Sequence, residues 1–195
     1  MVKPIGVLAL QGDFREHIAT FSSIGVEAVK VRSIEEIDAT SGLVIPGGES
    51  SVIHRLASVY GLFDPIRERI AAGFPTFGTC AGLIMLASEI LDKTDDQQPF
   101  GGLDVSVRRN AFGNQLDSFE TDLTFTGVDG TVHAAFIRAP IVERIGKDVE
   151  ITAKLDDGRV VGVRQGNAMG ISFHPEVTGE NRIHALFAKI AEAPN

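Results

Sequence analysis

Cys80 is the only cysteine in the chain, and it stands in Gly78-Thr79-Cys80-Ala81-Gly82, between an apolar run at 74–77 and another at 83–91. By itself a lone cysteine is most often a small buried core residue. This setting instead reads as a sharp strand-to-helix elbow that presents one nucleophile. The flanking glycines allow backbone angles or close approaches that a side chain would block. The helix expected after Cys80 aims its first N–H groups and its partial positive charge at the sulfur, and both favour thiolate over thiol.

A cysteine nucleophile needs a base to take its proton and a third group to orient that base. His174-Pro175-Glu176 offers both. The segment 168–173 alternates and is β-prone, so His174 is expected at the end of a strand, with Pro175 fixing the next turn. If the chain stays extended there, positions 174 and 176 face the same way. Glu176 then accepts from one imidazole nitrogen while the other faces Cys80. Taken alone, His-Pro-Glu is a polar turn at a strand end; paired with the glycine-flanked cysteine it becomes a candidate for the rest of a triad.

A third segment, Pro46-Gly47-Gly48-Glu49-Ser50-Ser51, ends a short apolar run and precedes an expected helix. Adjacent glycines free backbone N–H groups to turn toward a ligand, as an oxyanion hole requires. The Gly47-Gly48 peptide and the Ala81 N–H are therefore expected to flank a carbonyl attacked by Cys80. A plain turn is the competing reading of the glycine pair.

The elements that must position these residues follow from periodicity. Strands are expected at 5–10, 26–31, 43–45 and 74–77, alternating with helices at 14–24, 52–60 and 64–72, and Ser33-Ile34-Glu35-Glu36 fits a capping box. This order predicts a mostly parallel sheet flanked by helices, with sites at the C-terminal ends of its strands, where Gln11, Gly47 and Cys80 fall. Beyond residue 95 the pattern becomes β-rich, with strands expected at 103–107, 123–125, 132–137 and 149–155. Turns at Asp156-Asp157-Gly158 and Gln165-Gly166-Asn167 join the last strands into a meander that delivers His174. A closing helix carries Ile183, Leu186, Phe187 and Ile190 at i, i+3, i+4 and i+7. We therefore expect one α/β domain over residues 1–195 with an added antiparallel portion.

Composition narrows the function classes. The 195 residues are 44% hydrophobic and carry a formal net charge of −8, which argues against non-specific binding to nucleic acid or an anionic membrane. No apolar stretch is long enough to span a bilayer, and Met1-Val2-Lys3-Pro4 leads into a strand and not a signal peptide, so a cytoplasmic location is expected. One cysteine permits no intrachain disulfide and no cysteine-based zinc cluster. Histidines 17, 54, 133, 174 and 184 lack paired ligand spacing, and no metal is expected.

Together the Cys80, Gly47-Gly48 and His174-Pro175-Glu176 segments resemble the triad-type class I glutamine amidotransferases. More narrowly, Leu10-Gln11-Gly12 with Arg15-Glu16-His17, Arg109-Asn110-Ala111-Phe112-Gly113, Asp117-Ser118-Phe119-Glu120 and Ile137-Arg138-Ala139-Pro140 resemble the family of glutaminase subunits of pyridoxal 5′-phosphate synthase. The resemblance spans about residues 5–187. It departs at Asn114, where that family often has arginine after Phe-Gly.

The resemblance implies a flavodoxin-like fold and hydrolysis of L-glutamine through a γ-glutamyl thioester on Cys80. It assigns Gly47, Gly48 and Glu49 to the glutamine or its oxyanion, and Arg109, Ile137 and Arg138 to holding the substrate. An arginine suits the α-carboxylate because its planar donors can pair with it bidentately. Gln11 has two readings, a polar group of the substrate site or a contact with a partner. The implied partner is a separate β/α-barrel, ring-forming synthase subunit that uses the ammonia to make pyridoxal 5′-phosphate. That compound would be a product made on the partner, so no cofactor is expected here. Competing readings are a glutaminase subunit of another synthase such as the imidazole glycerol phosphate type, a stand-alone γ-glutamyl hydrolase, and a catalytically silent regulatory module.

Overall fold

The computed structural model describes residues 3–111 and 118–193. Phe112, Gly113, Asn114 and Asp117 lie outside the described residues. The first half of the chain runs β1 (Ile5–Leu8), α1 (Phe14–Ser23), β2 (Ala28–Val31), α2 (Ile34–Asp38), β3 (Gly42–Ile45), α3 (Ser50–Val59), α4 (Phe63–Ala71), β4 (Thr76–Thr79), α5 (Ala81–Leu86) and β5 (Ala87–Leu91). It continues through β6 (Leu103–Arg108), β7 (Ser118–Thr124), β8 (Thr131–Ile137), β9 (Ile141–Ile145), β10 (Glu150–Lys154), β11 (Val160–Gln165) and β12 (Ala168–Ile171). The helices α6 (Pro175–Thr178) and α7 (Arg182–Glu192) close it.

The main sheet is ordered β2-β1-β3-β4-β12-β11-β9-β6-β5, with β10 paired to β11. From β2 to β12 every pairing is parallel. Beyond β12 the pairings turn antiparallel, except that β5 and β6 are parallel. This is the mixed α/β architecture with a mainly parallel sheet and an antiparallel portion that the periodicity predicts. Strands β1, β3, β4 and β12 are buried at every position, as expected for parallel strands covered on both faces.

Side chains of alternate parity enter two apolar clusters. Leu8, Leu43 and Ile45 join α3, α4 and α5 through Ile53, Ile66 and Leu83, whereas Val7, Val44 and Phe77 join α1 and α7 through Phe21, Ile183 and Phe187. Hydrophobic periodicity thus selects which helix covers which face. The capping box at Ser33 and Glu36 is present in both directions.

Four neighbouring strands, β1, β3, β4 and β12, therefore release their chains at one edge of the sheet. Gln11, Gly47, Cys80 and His174 leave from that edge. The backbone N–H of Cys80 donates to Ile171 O at 2.8 Å, which fixes the elbow against the strand that leads to His174. The His174 N–H donates to Ala135 O of β8 at 2.9 Å, which ties the β7–β8 hairpin to the same edge.

Several expectations need correction. The apolar run 83–91 divides into the end of a six-residue helix and strand β5. Strand β9 has no counterpart among the expected strands, and β7 extends over 118–124, where burial alternates but few residues are strongly apolar. The first turn after Cys80 depends on close backbone packing: a Cβ on Gly82 would lie 2.0 Å from Ile45 O, and one on Gly78 would lie 2.4 Å from Gly82 C. Since the obstacles are main-chain atoms, no rotamer change relieves the overlap. Gly82→Ala is expected to destabilise the fold by about 3 kcal/mol or more. Urea unfolding should show a lower midpoint at unchanged slope; an unchanged midpoint would mean that α5 is not seated on β3 as described.

Candidate active site

At the C-terminal edge of the parallel strands lies a cavity of about 380 Å³, within the range of roughly 300–1,000 Å³ usual for small-molecule sites. Of the residues singled out from sequence, Gln11, Gly48, Glu49, Cys80, Ala81, Arg109, Ile137, Arg138 and His174 line it. Gly47 and Glu176 lie behind that lining. A Cβ on Gly47 would meet His174 Cε1 at 2.5 Å, so the Gly47 backbone forms the support for the imidazole.

Cys80 has φ 51° and ψ −104°, and its side chain is buried at the start of α5. The left-handed strain falls on the cysteine and not on its glycines. Asn110 (φ 47°) and Arg138 (φ 43°) are also in this region, so three of the four non-glycine residues with positive φ among the described residues line the cavity. Such backbone conformations cost on the order of 1–3 kcal/mol each and persist where the surroundings enforce them, often at functional sites. The Cys80 Sγ is 4.0 Å from Ile137 O.

His174 Nδ1 is 2.7 Å from Glu176 Oε1. The chain does not stay extended here: Pro175 occupies the first position of the short helix α6, and Glu176 reaches back to the imidazole from its first turn. The pairing expected from an extended chain is thus made by a helical one. Burial pushes the His174 pKa down, but hydrogen bonding and charge interaction with Cys80 and Glu176 outweigh it and hold the value up at about 10. With Nδ1 committed to Glu176, Nε2 is the nitrogen left for Cys80.

Asp13 is a second carboxylate at the base, with Oδ2 3.7 Å from His174 Nδ1. Burial raises its pKa, His174 opposes this and Glu16 adds to it. Sequence reasoning did not single it out as a site residue. It stands at the N-cap position of α1 yet makes no side-chain cap, a freedom that only the fold reveals, since in the sequence Asp13 reads as an ordinary capping residue. Asp13, His174 and Glu176 offer ligand atoms within 4.8 Å of one another, but His174 Nδ1, the nitrogen that faces both carboxylates, is already bonded to Glu176.

On the opposite wall, Glu49 caps α3 and accepts from Arg109 Nη2 at 2.7 Å. Arg109 Nη1 donates to Gln97 Oε1 at 3.1 Å, and Gln97 Nε2 donates to Ser50 Oγ at 2.9 Å. Gln97 is fully buried although it belongs to a segment that reads as a polar loop. The site therefore contains a preformed carboxylate–guanidinium pair, chemically suited to the ammonium and carboxylate of an amino acid. Gln11 Oε1 accepts from the Glu49 backbone N–H at 2.7 Å and would lie 2.3 Å from a Cβ on Gly48, whose φ is +151°. The Gln11 side chain thus packs directly on the glycine peptide. His54, in contrast, stacks edge-on against Phe63 at 4.9 Å, away from this constellation.

A family model described as the SNO glutamine amidotransferase family matches residues 7–193. The chain belongs to that family. It is 57% identical over 189 residues to the pyridoxal 5′-phosphate synthase subunit PdxT of Mycobacteroides abscessus, covering 97% of each chain. It is 56% identical over 194 residues to the protein of the same name from Nocardia farcinica, covering 97% of this chain and 86% of that one. Among solved structures, one described as a glutamine amidotransferase matches with a TM-score of 0.90 at 47% identity, covering 97% of this chain and 99% of the other. No helix among the described residues is long and apolar enough to cross a membrane.

The geometry generates a titration test. Because the folded His174 pKa lies above its ordinary value, this group's contribution to stability is complete below about 6.5 and is lost as pH rises through about 10. NMR of the His174 ring should show it protonated well above neutrality. Cys80→Ala removes one of the two partners that oppose burial, and the midpoint should fall. A midpoint unmoved by the substitution would show that Cys80 does not interact with this imidazole.

Proposed function

We propose that this chain is the glutaminase subunit of a pyridoxal 5′-phosphate synthase, hydrolysing L-glutamine to L-glutamate and ammonia. The observation that carries the reading is the convergence, in one cavity, of the strained Cys80 elbow, the His174–Glu176 pair and the Arg109–Glu49 pair. Family membership and the extent of similarity to the PdxT relatives favour it over a glutaminase serving another synthase.

In this mechanism the Cys80 thiolate attacks the glutamine side-chain amide carbon and the carbonyl π electrons move onto oxygen. The oxyanion is met by backbone N–H groups of Gly48 and Ala81; the first amides of a helix have no intrahelical acceptor and are available for this. His174, protonated and oriented by Glu176, gives its proton to the departing nitrogen, so ammonia leaves and a γ-glutamyl thioester remains. The now neutral His174 takes a proton from water, hydroxide attacks the thioester, and glutamate leaves as the thiolate reforms. Arg109 pairs with the substrate α-carboxylate and Glu49 with its α-ammonium, Ile137 and Arg138 complete the enclosure, and Gly47 supports the imidazole and carries the peptide of the oxyanion wall.

The ammonia is delivered to a β/α-barrel, ring-forming synthase subunit, with both proteins in the cytoplasm. Pyridoxal 5′-phosphate is the product of the complex and not a prosthetic group of this chain, which works as one glutaminase unit over 1–195. Docking governs the Gly47-Gly48 peptide, whose N–H must point at the developing charge. Gln11, already seated on that peptide, belongs to the oxyanion wall and links it to the partner contact.

Glutamate release measured with and without the synthase subunit tests the proposal. The isolated chain should be slow and the complex fast, and Cys80→Ala should lower the complex's rate by at least about a thousandfold while leaving the complex intact. His174→Asn should be comparably inactive, and Glu176→Gln should retain some turnover because the base itself remains. Full activity in Cys80→Ala would sink the nucleophile assignment, and equal rates with and without partner would favour a stand-alone hydrolase.

A further inference from the structure

Behind the triad lie two buried imidazoles that the proposed chemistry does not use. His17 of α1 and His184 of α7 are both fully inaccessible to solvent. Their rings lie 5.1 Å apart between centroids, and Phe21 and Phe77 pack edge-on against His184 at 4.8 and 5.7 Å. His17 Nδ1 is 2.8 Å from His184 Nε2. Its other nitrogen, Nε2, is 3.0 Å from Thr79 Oγ1 and 3.8 Å from Glu176 Oε1. Thr79 immediately precedes Cys80, and Glu176 is the partner of His174. One ring therefore touches the strand that carries the nucleophile and the carboxylate that orients the base.

The surroundings select the tautomer of this pair. Burial pushes the His17 pKa well below its ordinary value, with His184 and His174 acting in the same direction. Burial brings His184 down to about 3 against an opposing contribution from Glu180. Both rings are therefore neutral, and each nitrogen is either a donor or an acceptor. If His184 Nε2 carries its proton, it donates to His17 Nδ1, and His17 Nε2–H faces Thr79 and Glu176. In the opposite arrangement the His17 Nε2 lone pair faces the Glu176 carboxylate at 3.8 Å, and the His184 proton sits on Nδ1, a buried atom with no partner among the described residues. That form combines a repulsive contact with an unsatisfied buried donor. The first form leaves His184 Nδ1 a bare acceptor but turns an N–H and not a lone pair toward the carboxylate, and that contact decides between them.

We propose that His17 is a positioning residue for the glutaminase reaction: with Nδ1 accepting from His184, its Nε2–H donates to the Thr79 hydroxyl and, 3.8 Å from Glu176 Oε1, holds that carboxylate electrostatically, so that nucleophile and base keep one mutual geometry. Glu176 has a particular need for such a neighbour. Its side chain is wholly buried, Oε1 is the atom bonded to His174, and Oε2 has no partner among the described residues. Two imidazole nitrogens therefore face the one oxygen Oε1, His174 Nδ1 at 2.7 Å and His17 Nε2 at 3.8 Å, and an N–H on the second adds an electrostatic hold that keeps this oxygen, and not Oε2, turned toward His174. The inference rests on the functional reading above, since it assigns His17 to the reaction of that triad.

The test compares His17→Asn and His17→Gln in the complex with the synthase subunit. The glutamine amide nitrogen reaches about as far as an imidazole Nε2 and can donate there, whereas asparagine ends near the Nδ1 position. We expect His17→Asn to lower kcat by about tenfold or more with KM little changed. His17→Gln should recover most of that loss. Combining His17→Asn with Glu176→Gln should cost less than the product of the two separate losses, because both act through one carboxylate. Equal kcat in His17→Asn and the unsubstituted chain, or equal losses in Asn and Gln, would overturn the proposal. A second measurement needs no substitution: ¹⁵N NMR of the unsubstituted chain should find His17 protonated at Nε2, and a proton at Nδ1 would contradict it even if both variants fail to fold. If the unsubstituted complex does not hydrolyse glutamine, the functional reading fails and not merely this addition to it.

Discussion

Everything at this site depends on one backbone constraint, the left-handed conformation of Cys80 between the end of β4 and the first turn of α5. A cysteine at φ 51° is costly, and two kinds of contact keep it there. The close packing of Gly82 on Ile45 O and of Gly78 on Gly82 leaves α5 a single seat over the sheet. The Cys80 N–H bond to Ile171 O then locks the elbow to β12. Because the same strand β12 runs on to His174, the bond that maintains the strain also sets the distance between Cys80 and His174. Rearranging one would move the other.

Electrostatics build on that geometry. An imidazole in so buried a place would ordinarily lose its proton, yet Cys80 and Glu176 reverse the direction and keep His174 protonated. The two rings behind it, His17 and His184, have no comparable anion in hydrogen-bonding contact and burial neutralises them. Three buried histidines in one molecule thus occupy different protonation states, decided by which of them has a directly bonded charged partner. Across the cavity, the Arg109–Glu49 pair is held by Gln97 and Ser50 before any ligand arrives, so little side-chain ordering remains to be paid for on binding.

Much of this was legible in the sequence because the relevant signals are local. The continuous apolar strands 5–8 and 42–45, the Ser33 capping box and the stripe from Ile183 to Ile190 each declare their own element. The three chemistry-bearing segments were visible because each couples a reactive residue to glycine or proline. What was missed depends on partners distant in the chain. Strand β9 is specified by pairing with β6 and β11, which its own five residues do not announce. The run from Leu83 to Leu91 has the apolarity of one element but divides because β5 finds β6. Gln97 reads as a loop residue until Arg109 and Ser50 are seen to bury it. The His174–Glu176 pairing is legible from their spacing, but its local basis is not, since Pro175 initiates a helical turn and the extended alternation ends at the histidine. His17 shows the same limit: its partners are 62, 159 and 167 residues away, and only the fold brings them together.

In the proposed reaction the Cys80 sulfur becomes covalently attached to the side-chain carbonyl carbon of glutamine. Acid quenching of the complex during turnover, followed by peptide mass spectrometry, tests this directly. The peptide containing Cys80 should gain the mass of a γ-glutamyl group in the unsubstituted protein, the adduct should disappear when glutamine is exhausted, and Cys80→Ala should show none. A γ-glutamyl adduct on any other residue, or rapid glutamate formation in single-turnover sampling with Cys80 unmodified throughout, would contradict it.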